Sequence, residues 1–470
     1  MSAYPNVMMQ PAQRVTSRGG PAAERRYAAR ARMWLLGMRV FLLAATLTLM
    51  SSQTQALVGN SIIDAARWGL LGLLALMVVV KPRGRLALRK PRLVDGVFGA
   101  FIAFAAASTL YSVMPPLTIG RTISAVLLYA AVFWTVWFYA DMVGATEVSD
   151  NILMAAAIMF IAGVLNAVVG NTAWYALRFR GVFGNPNSIG MLSIIFLPPA
   201  VGRFIRTKKV FPLLLIALIL GSLILSGSRN GVMTSSIAII YFLYRIRAWR
   251  ASLVIFAAAT VVLLVMPAPA EGTGDQDPFA RLTTAQKIST GGGRLEAWTA
   301  AIPLIREEIA LGHGFGTEEL IFKGRTFRVH RGEYVHNSYL GMTYQLGLVG
   351  AGLLFIPLIG LLVRRAVSKA PVSLQEAVCE AVLLGGLIAS MFESWIYSAG
   401  NAFAFPFWIF VMLLVRSRRA LPDPKDLRPR APTKPRRIIS SPYLVRPVQQ
   451  PVRTAPPIGR FDPPRLTGDG

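Results

Sequence analysis

The sequence contains a long succession of apolar runs separated by short polar segments, and this pattern restricts what the chain can fold into. Most runs are about as long as a helix that crosses the hydrocarbon core of a bilayer, about 17 to 25 residues. Only 15% of the 470 residues are charged, whereas soluble domains usually contain about a quarter. The chain is therefore predicted to be an all-α, polytopic integral membrane protein.

Twelve of these runs are candidate transmembrane helices. The first nine fall within residues 34–267 and the last three within residues 338–416, so that residues 268–337 form one large polar loop. The predicted spans are 34–50, 62–80, 94–113, 119–140, 152–170, 188–202, 210–226, 231–245, 251–267, 338–363, 377–396 and 401–416.

The basic residues predict the orientation of these spans. Lys and Arg cluster in alternate loops, such as 81–92, 203–209 and 245–250, and such loops face the cytoplasm by the positive-inside rule. This arrangement places both termini in the cytoplasm and the 268–337 loop in the periplasm. The terminal segments 1–33 and 417–470 are basic, and the second is rich in Pro and predicted to be extended and disordered.

The net charge of +27 does not indicate nucleic-acid binding, because the basic residues lie in short loops between apolar runs. The single cysteine, Cys379, excludes an intramolecular disulfide and a Cys-based zinc site. Asp275 and Asp277 match the acidic pattern with which some glycosyltransferases hold a metal, but three residues in a loop are a weak signal. No metal and no cofactor is expected.

Several arginines break the charge pattern because they lie on the predicted outer side. They are Arg178, Arg180, Arg229, Arg294 and the basic run Lys323, Arg325, Arg328 and Arg331. One interpretation is that they only anchor helix ends at lipid headgroups. The other is an anion site, because arginine stays charged and binds phosphate with two parallel hydrogen bonds. Gly291–Gly293 would let backbone amides approach such an anion.

The outer loop is predicted to contain an amphipathic helix near 294–309, with Trp298, Ile302, Ile305 and Ile309 on its apolar face. The segment GHGFG at 312–316 is predicted to be a turn. His313 and His330 are interpreted as solvated loop residues.

Two ionisable residues lie at apolar segments. His336 stands where the outer loop meets the span that begins at 338, and Asn337 beside it is suited to cap the following helix. Glu393 falls in the predicted span 377–396, where an ionised side chain needs a partner, and structural pairing is the favoured interpretation.

Four blocks resemble the O-antigen ligase and polysaccharide polymerase superfamily. "HNSYLGMTYQLGLVG" is similar to its pattern of His, a polar residue and two spaced glycines, here His336, Asn337, Gly347 and Gly350. "RGVFGNPNSIG" (180–190), "SGSRNG" (226–231) and "GGGRLEAW" (291–298) resemble the other blocks. The resemblance covers about residues 170–400, and the layout looks closest to exopolysaccharide-production polymerases of the succinoglycan type.

The resemblance implies a membrane-type glycosyltransferase of the bacterial inner membrane that is inverting and metal-independent. Its donor would be a glycan on undecaprenyl diphosphate at the periplasmic face, and its acceptor a sugar hydroxyl. By this resemblance, Arg178, Arg180, Arg229 and Arg294 would bind the diphosphate, while His336, Arg229 and Arg294 would be catalytic. His336 would act either as the base or as a phosphate ligand.

Three functions stay open at this point. A polymerase joins repeat units, a ligase moves the finished glycan to lipid A core or another acceptor, and a transporter catalyses no transfer. The two halves of the chain show no internal repeat of the kind common in transporters. Besides the glycan, the acceptor and the bilayer, polysaccharide export or chain-length proteins are candidate partners.

Overall fold

The computed structural model describes residues 21–81, 89–170, 172–248, 250, 294–323, 334–368 and 370–417. Several predicted features lie outside these residues, and they stay predictions. They are the span 251–267, the loop 268–292 with Asp275 and Asp277, the glycines 291–293, Arg325, Arg328, His330, Arg331, residues 1–20 and the tail from 418.

The described chain is mainly helical, as predicted. Strand is limited, in this part of the chain, to a hairpin of β1 (Trp174–Tyr175) and β2 (Arg178–Phe179) and one isolated bridge. The α-helices are α1 (Pro21–Ser51), α2 (Ser61–Leu76), α3 (Leu93–Ala107), α4 (Pro115–Tyr129), α5 (Trp137–Val143), α6 (Ala145–Val169), α7 (Asn187–Thr207), α8 (Val210–Leu225), α9 (Arg229–Arg245), α10 (Arg294–Glu307), α11 (Ser338–Val367), α12 (Leu374–Ala389) and α13 (Ala404–Arg416). A π-helical segment, Ala130–Val136, joins α4 to α5, and 3₁₀ turns lie at Ser108–Leu110 and Thr317–Leu320.

A helix coincides with each predicted span that the structure describes. Six stretches in this part of the chain are long and apolar enough to cross a membrane, and α8 and α13 are shorter apolar helices. The total of twelve spans and the side on which the large loop lies remain predictions. The six long stretches are Ala28–Ser51, Leu93–Leu110, Pro115–Val143, Ala145–Val169, Asn187–Thr207 and Ser338–Val367.

Small residues bring α7, α9 and α12 together. A Cβ at Gly231 of α9 would overlap the Cα of Gly190 in α7, so these helices meet at backbone distance near their first turns. A Cβ at Gly385 of α12 would lie 2.9 Å from Ile194 of α7. The N-terminal ends of α7 and α9 therefore lie at the same end of the bundle as the C-terminal end of α12.

Ion pairs hold the opposite end of the bundle. Arg206 at the end of α7 lies 2.6 Å from Asp150 near the start of α6. Arg245 at the end of α9 lies 2.6 Å from the buried Glu380 of α12. The loops predicted to be cytoplasmic therefore share one end, and the segment that includes His336 belongs to the other, which we call the outer end. The membrane side of each end stays a prediction.

Candidate active site

His336, Glu393 and Arg294 form one connected cluster at the outer end. The Nδ1 atom of His336 lies 3.0 Å from Oε2 of Glu393. The other carboxylate oxygen of Glu393 accepts a hydrogen bond of 2.6 Å from Nη2 of Arg294. Glu393 thus connects Arg294 with His336, which are 42 positions apart in the chain. These contacts confirm the prediction that Glu393 is paired.

The location of Glu393 differs from the prediction. Helix α12 ends at Ala389, so Glu393 lies in the loop that follows the helix and not inside a span. Burial alone raises the pKa of the Glu393 carboxyl, but the hydrogen bond with His336 and the positive charge of Arg294 outweigh burial. The net effect lowers the pKa, and Glu393 is therefore a carboxylate at neutral pH.

The backbone around His336 is unusual and firmly held. His336 has φ of 52°, in the left-handed region that few residues with a side chain adopt. The next residue, Asn337, caps α11 as predicted, because its side-chain oxygen accepts from the amides of Tyr339 and Leu340. The amide of Ser338 also donates to the Ser390 carbonyl at 2.7 Å. These contacts fix the position of the His336 backbone, and strained backbone of this kind is typical of functional sites.

The two glycines of the histidine motif have a structural role in α11. Gly347 has φ of 62° and ψ of −168°, and it breaks the helix. The segment before the 3₁₀ turn fits into this break, where the amide of Leu348 donates to the Ile309 carbonyl at 2.8 Å. A Cβ at Gly347 would overlap the Ala310 carbonyl, and one at Gly350 would overlap the Leu346 side chain.

The segment GHGFG is more than the predicted turn, because it packs along the break in α11. The amides of His313 and Gly314 donate to the carbonyls of Tyr344 and Gln345, which the break exposes. The His313 ring stacks on Tyr344 with a centroid distance of 4.3 Å. The prediction that His313 is a solvated loop residue is therefore wrong.

The predicted apolar face of α10 is correct only in part. Ile305 is buried and Trp298 donates to the Val335 carbonyl at 3.1 Å, but Ile302 and Ile309 are exposed. The buried face instead follows Ala297, Ala301 and Ile305. The small alanines permit close packing against α11 and the chain before His336, and they were overlooked because the prediction gave weight only to large apolar residues.

Arg178 joins three elements of the outer end. Its Nε donates to the Ser226 carbonyl at 2.7 Å and its Nη2 to the side chain of Asn187 at 2.9 Å. Arg178 is 7% exposed, so these contacts attach the hairpin to the turn before α9 and to the start of α7. This burial favours a structural role for Arg178 over the predicted contact with a diphosphate.

Arg180 and Arg229 are more open than Arg178. Arg180 lies beyond the hairpin, donates to the Thr172 carbonyl at 2.9 Å, and its guanidinium lies 5.4 Å from the centre of the Tyr175 ring. Arg229 is the first residue of α9 and is half-buried; the Ser228 side chain caps this helix by accepting from the Gly231 amide. Both stand at the outer end, with Arg229 at a helix N-terminus that favours anions.

A second polar cluster, centred on Glu318, was missed by the sequence analysis. Glu318 is 2% exposed and accepts hydrogen bonds from the Ser394 hydroxyl at 2.5 Å, the Val335 amide at 3.2 Å and the Tyr397 hydroxyl. Burial raises the pKa of the Glu318 carboxyl, and these hydrogen bonds only partly oppose that effect. Ser394 links the two clusters, since its hydroxyl also accepts from the Asn337 amide at 3.1 Å.

A cavity of about 310 Å³ opens beside the Glu318 cluster. Its wall combines arginine, carboxyl, amide and aromatic side chains from the turn after α1, from α2, α4 and α11, and from the two loops around the clusters. The main polar and aromatic lining residues are Gln53, Arg67, Trp68, Arg121, Glu318, Glu319, Tyr334, Gln345, Ser394, Tyr397 and Asn401. In the part of the chain that the structure describes, no group of three His, Cys, Asp or Glu residues is placed to hold a metal ion.

Comparison with known protein families gives a match to part of the chain. Residues 214–355 match the family model described as O-antigen ligase. The matched segment runs from α8 into α11 and includes Arg229, Arg294, His336, Gly347 and Gly350. A comparison with curated proteins finds no match. The match at residues 214–355 supports the predicted resemblance to the O-antigen ligase and polysaccharide polymerase superfamily.

Proposed function

We propose that this protein is a polysaccharide polymerase of the bacterial inner membrane. It transfers a glycan from undecaprenyl diphosphate to a sugar hydroxyl of another lipid-linked repeat unit, at the periplasmic face. The single observation that carries this proposal is the hydrogen-bonded series Arg294–Glu393–His336 at the outer end of the bundle. Arg294 and His336 lie in the segment that matches the O-antigen ligase family, and Glu393 lies in the loop after α12.

His336 is the general base of the proposed reaction. The Glu393 carboxylate accepts only, so it holds the ring proton of His336 on Nδ1 and leaves Nε2 as the basic nitrogen. The His336 side chain is 35% exposed, against 17% for Glu393, so the ring can be reached by a substrate while the carboxylate behind it is sheltered. This arrangement favours the base over the phosphate ligand, the two roles that the sequence left open.

The transfer is a single displacement. Nε2 of His336 takes the proton of the acceptor hydroxyl as its oxygen bonds to the anomeric carbon of the donor. The bond from that carbon to the phosphate oxygen breaks, undecaprenyl diphosphate leaves with the bonding electrons, and the anomeric configuration inverts. Arg180 and Arg229 stabilise the charge that develops on the leaving diphosphate. Arg294 acts mainly on Glu393, because its Nε and Nη2 donate to the Phe392 carbonyl and the Glu393 carboxylate.

The test uses purified full-length protein in lipid nanodiscs with a lipid-linked repeat unit as the sole substrate. A polymerase converts it to a ladder of products that differ by one repeat unit. A ligase, the alternative in the same superfamily, leaves this substrate unchanged until a separate acceptor such as lipid A core is added. A transporter makes no covalent product under either condition, and that result would overturn the proposal.

The same assay tests the metal-independent mechanism. Product formation is expected to persist in EDTA, because arginine side chains replace a metal in stabilising the leaving diphosphate. Loss of product in EDTA and recovery on addition of a divalent metal would contradict this part of the proposal.

A further inference from the structure

The cavity beside Glu318 has no part in the proton transfer proposed for His336. Arg67 and Trp68 from α2 and Arg121 from α4 contribute to its wall, and all three precede the matched domain at 214–355. The cavity volume of about 310 Å³ is within the range of about 300 to 1,000 Å³ that small-molecule sites occupy. Helices α2 and α4, which lie outside the matched segment, therefore line this pocket together with residues of that segment.

Arg67 gives the clearest indication of a ligand. One of its terminal nitrogens lies 3.3 Å from Asp64, but its Nε is buried with no hydrogen-bond partner among the described residues. A buried donor without a partner is uncommon in native proteins and often marks a site that a ligand or water completes. The neighbouring Trp68 also lines the cavity, and its ring centre lies 5.5 Å from the Arg67 guanidinium.

The charges in the wall disfavour a phosphate. Glu318 and Glu319 both line the cavity, and Arg121 is already paired with Glu319 at 3.0 Å. The Tyr334 hydroxyl donates to the same carboxylate at 3.3 Å. The Glu319 carboxylate repels a diphosphate, but together with arginine and amide groups it offers hydrogen-bond acceptors and donors to neutral hydroxyls. An aromatic ring such as Trp68 covers the apolar C–H face of a sugar.

We propose that this cavity binds one sugar ring of the glycan substrate, with the Arg67 guanidinium and the Glu319 carboxylate bonded to its hydroxyls and Trp68 against its face. The assignment rests on the proposed function for the identity of the glycan. Ser394 lines the cavity and accepts from the Asn337 amide, so one side chain separates the bound sugar from the peptide after His336. The cavity therefore sets which repeat unit the catalytic cluster accepts.

The test measures binding apart from turnover. The probe is the phosphate-free oligosaccharide that mild acid releases from the host's own lipid-linked glycan, titrated calorimetrically into full-length protein in nanodiscs. Arg67→Gln is expected to weaken binding about tenfold or more, as for the loss of one charge-assisted hydrogen bond. Trp68→Ala is expected to weaken binding about as much, because it removes the ring that covers the face of the sugar. His336→Ala is expected to bind as wild type does, although it lacks turnover.

Matched controls lie at the opposite end of the bundle. Arg364→Gln and Tyr244→Ala remove an exposed arginine and an exposed aromatic ring there, and both should bind like wild type. Wild-type affinity in the Arg67 and Trp68 variants, or no saturable binding by wild type, would overturn the cavity assignment. If binding follows the prediction but no condition yields a transfer product, the proposed function fails while the sugar site stands.

A further measurement determines whether the bound sugar belongs to the acceptor or to the donor. With lipid-linked donor present, an oligosaccharide in an acceptor position is itself extended, whereas one in a donor position only inhibits. Either result supports a sugar site, provided that Trp68→Ala diminishes it.

Discussion

Glu393→Gln is the most informative single substitution, because Glu393 lies between Arg294 and His336. Arginine can only donate, so the amide oxygen of the new side chain must face Arg294, which lies 2.6 Å from the carboxylate. The amide nitrogen then faces Nδ1 of His336, which must become an acceptor, and the ring proton moves to Nε2. The base is held in the wrong tautomer.

The size of the effect can be bounded. Loss of the partner that orients a metal-bound histidine typically costs about 10- to 100-fold. The same carboxylate-to-amide change in a Ser-His-Asp triad, which also traps the wrong tautomer, costs about 10⁴-fold. We therefore expect kcat to fall by about 10²- to 10⁴-fold, with a much smaller change in KM for the lipid-linked substrate.

The assay is product formation per molecule of inserted protein in nanodiscs. Glu376→Gln is the matched control, because Glu376 is a similarly buried carboxylate that is paired with Arg365 at 3.0 Å at the opposite end. That variant should lose stability without losing kcat. If Glu393→Gln keeps kcat within a factor of about three of wild type, the orientation of His336 by Glu393 has no catalytic role.

Three further predictions concern the fold around the site. Gly347→Ala should destabilise the protein in thermal unfolding by at least about 1–3 kcal/mol, because a residue with a Cβ is strained at a positive φ. Gly352→Ala is the control and should be nearly neutral, because the nearest atom to an added Cβ lies at 3.5 Å. Burial raises the pKa of Glu318, so the folded protein binds its proton more tightly than the unfolded chain does, and stability falls as pH rises from the ordinary pKa through the raised one. The apparent Tm of Glu318→Gln should therefore fall less than that of wild type as the pH is raised above the ordinary carboxyl pKa, and an equal fall would contradict the assignment. In a Cys379→Ala background, cysteine at Leu177 should react with a membrane-impermeant thiol reagent in intact cells and cysteine at Arg364 should not, and the reverse pattern would invert the topology.

The helices were accessible to prediction because each apolar run directly reflects the need to satisfy backbone groups inside a bilayer. The start of α11 was equally clear, since Asn337 is a standard capping residue at the edge of an apolar run. In contrast, the end of α12 at Ala389 was missed because Phe392, Trp395 and Ile396 continue the apolar pattern through the loop.

The sequence predicted two members of the proposed catalytic cluster but not the contacts that join them. His336 and Arg294 stood out in the sequence by position, but their connection through Glu393 depends on tertiary packing between the loop after α12 and the starts of α10 and α11. Glu318 gave no signal, because an acidic residue in a polar loop is usually solvated. Arg178 gave a misleading signal, since a buried structural arginine and a ligand-binding one look alike in sequence.

Turnover of His336→Ala, measured per molecule of inserted protein, tests the central claim most directly. His313→Ala serves as the control, because His313 stacks on Tyr344 away from the Glu393 carboxylate. The account predicts that His336→Ala inserts normally and loses about 10²- to 10⁴-fold in kcat, as expected for a missing general base, while His313→Ala retains its kcat. Wild-type kcat in His336→Ala would contradict the account.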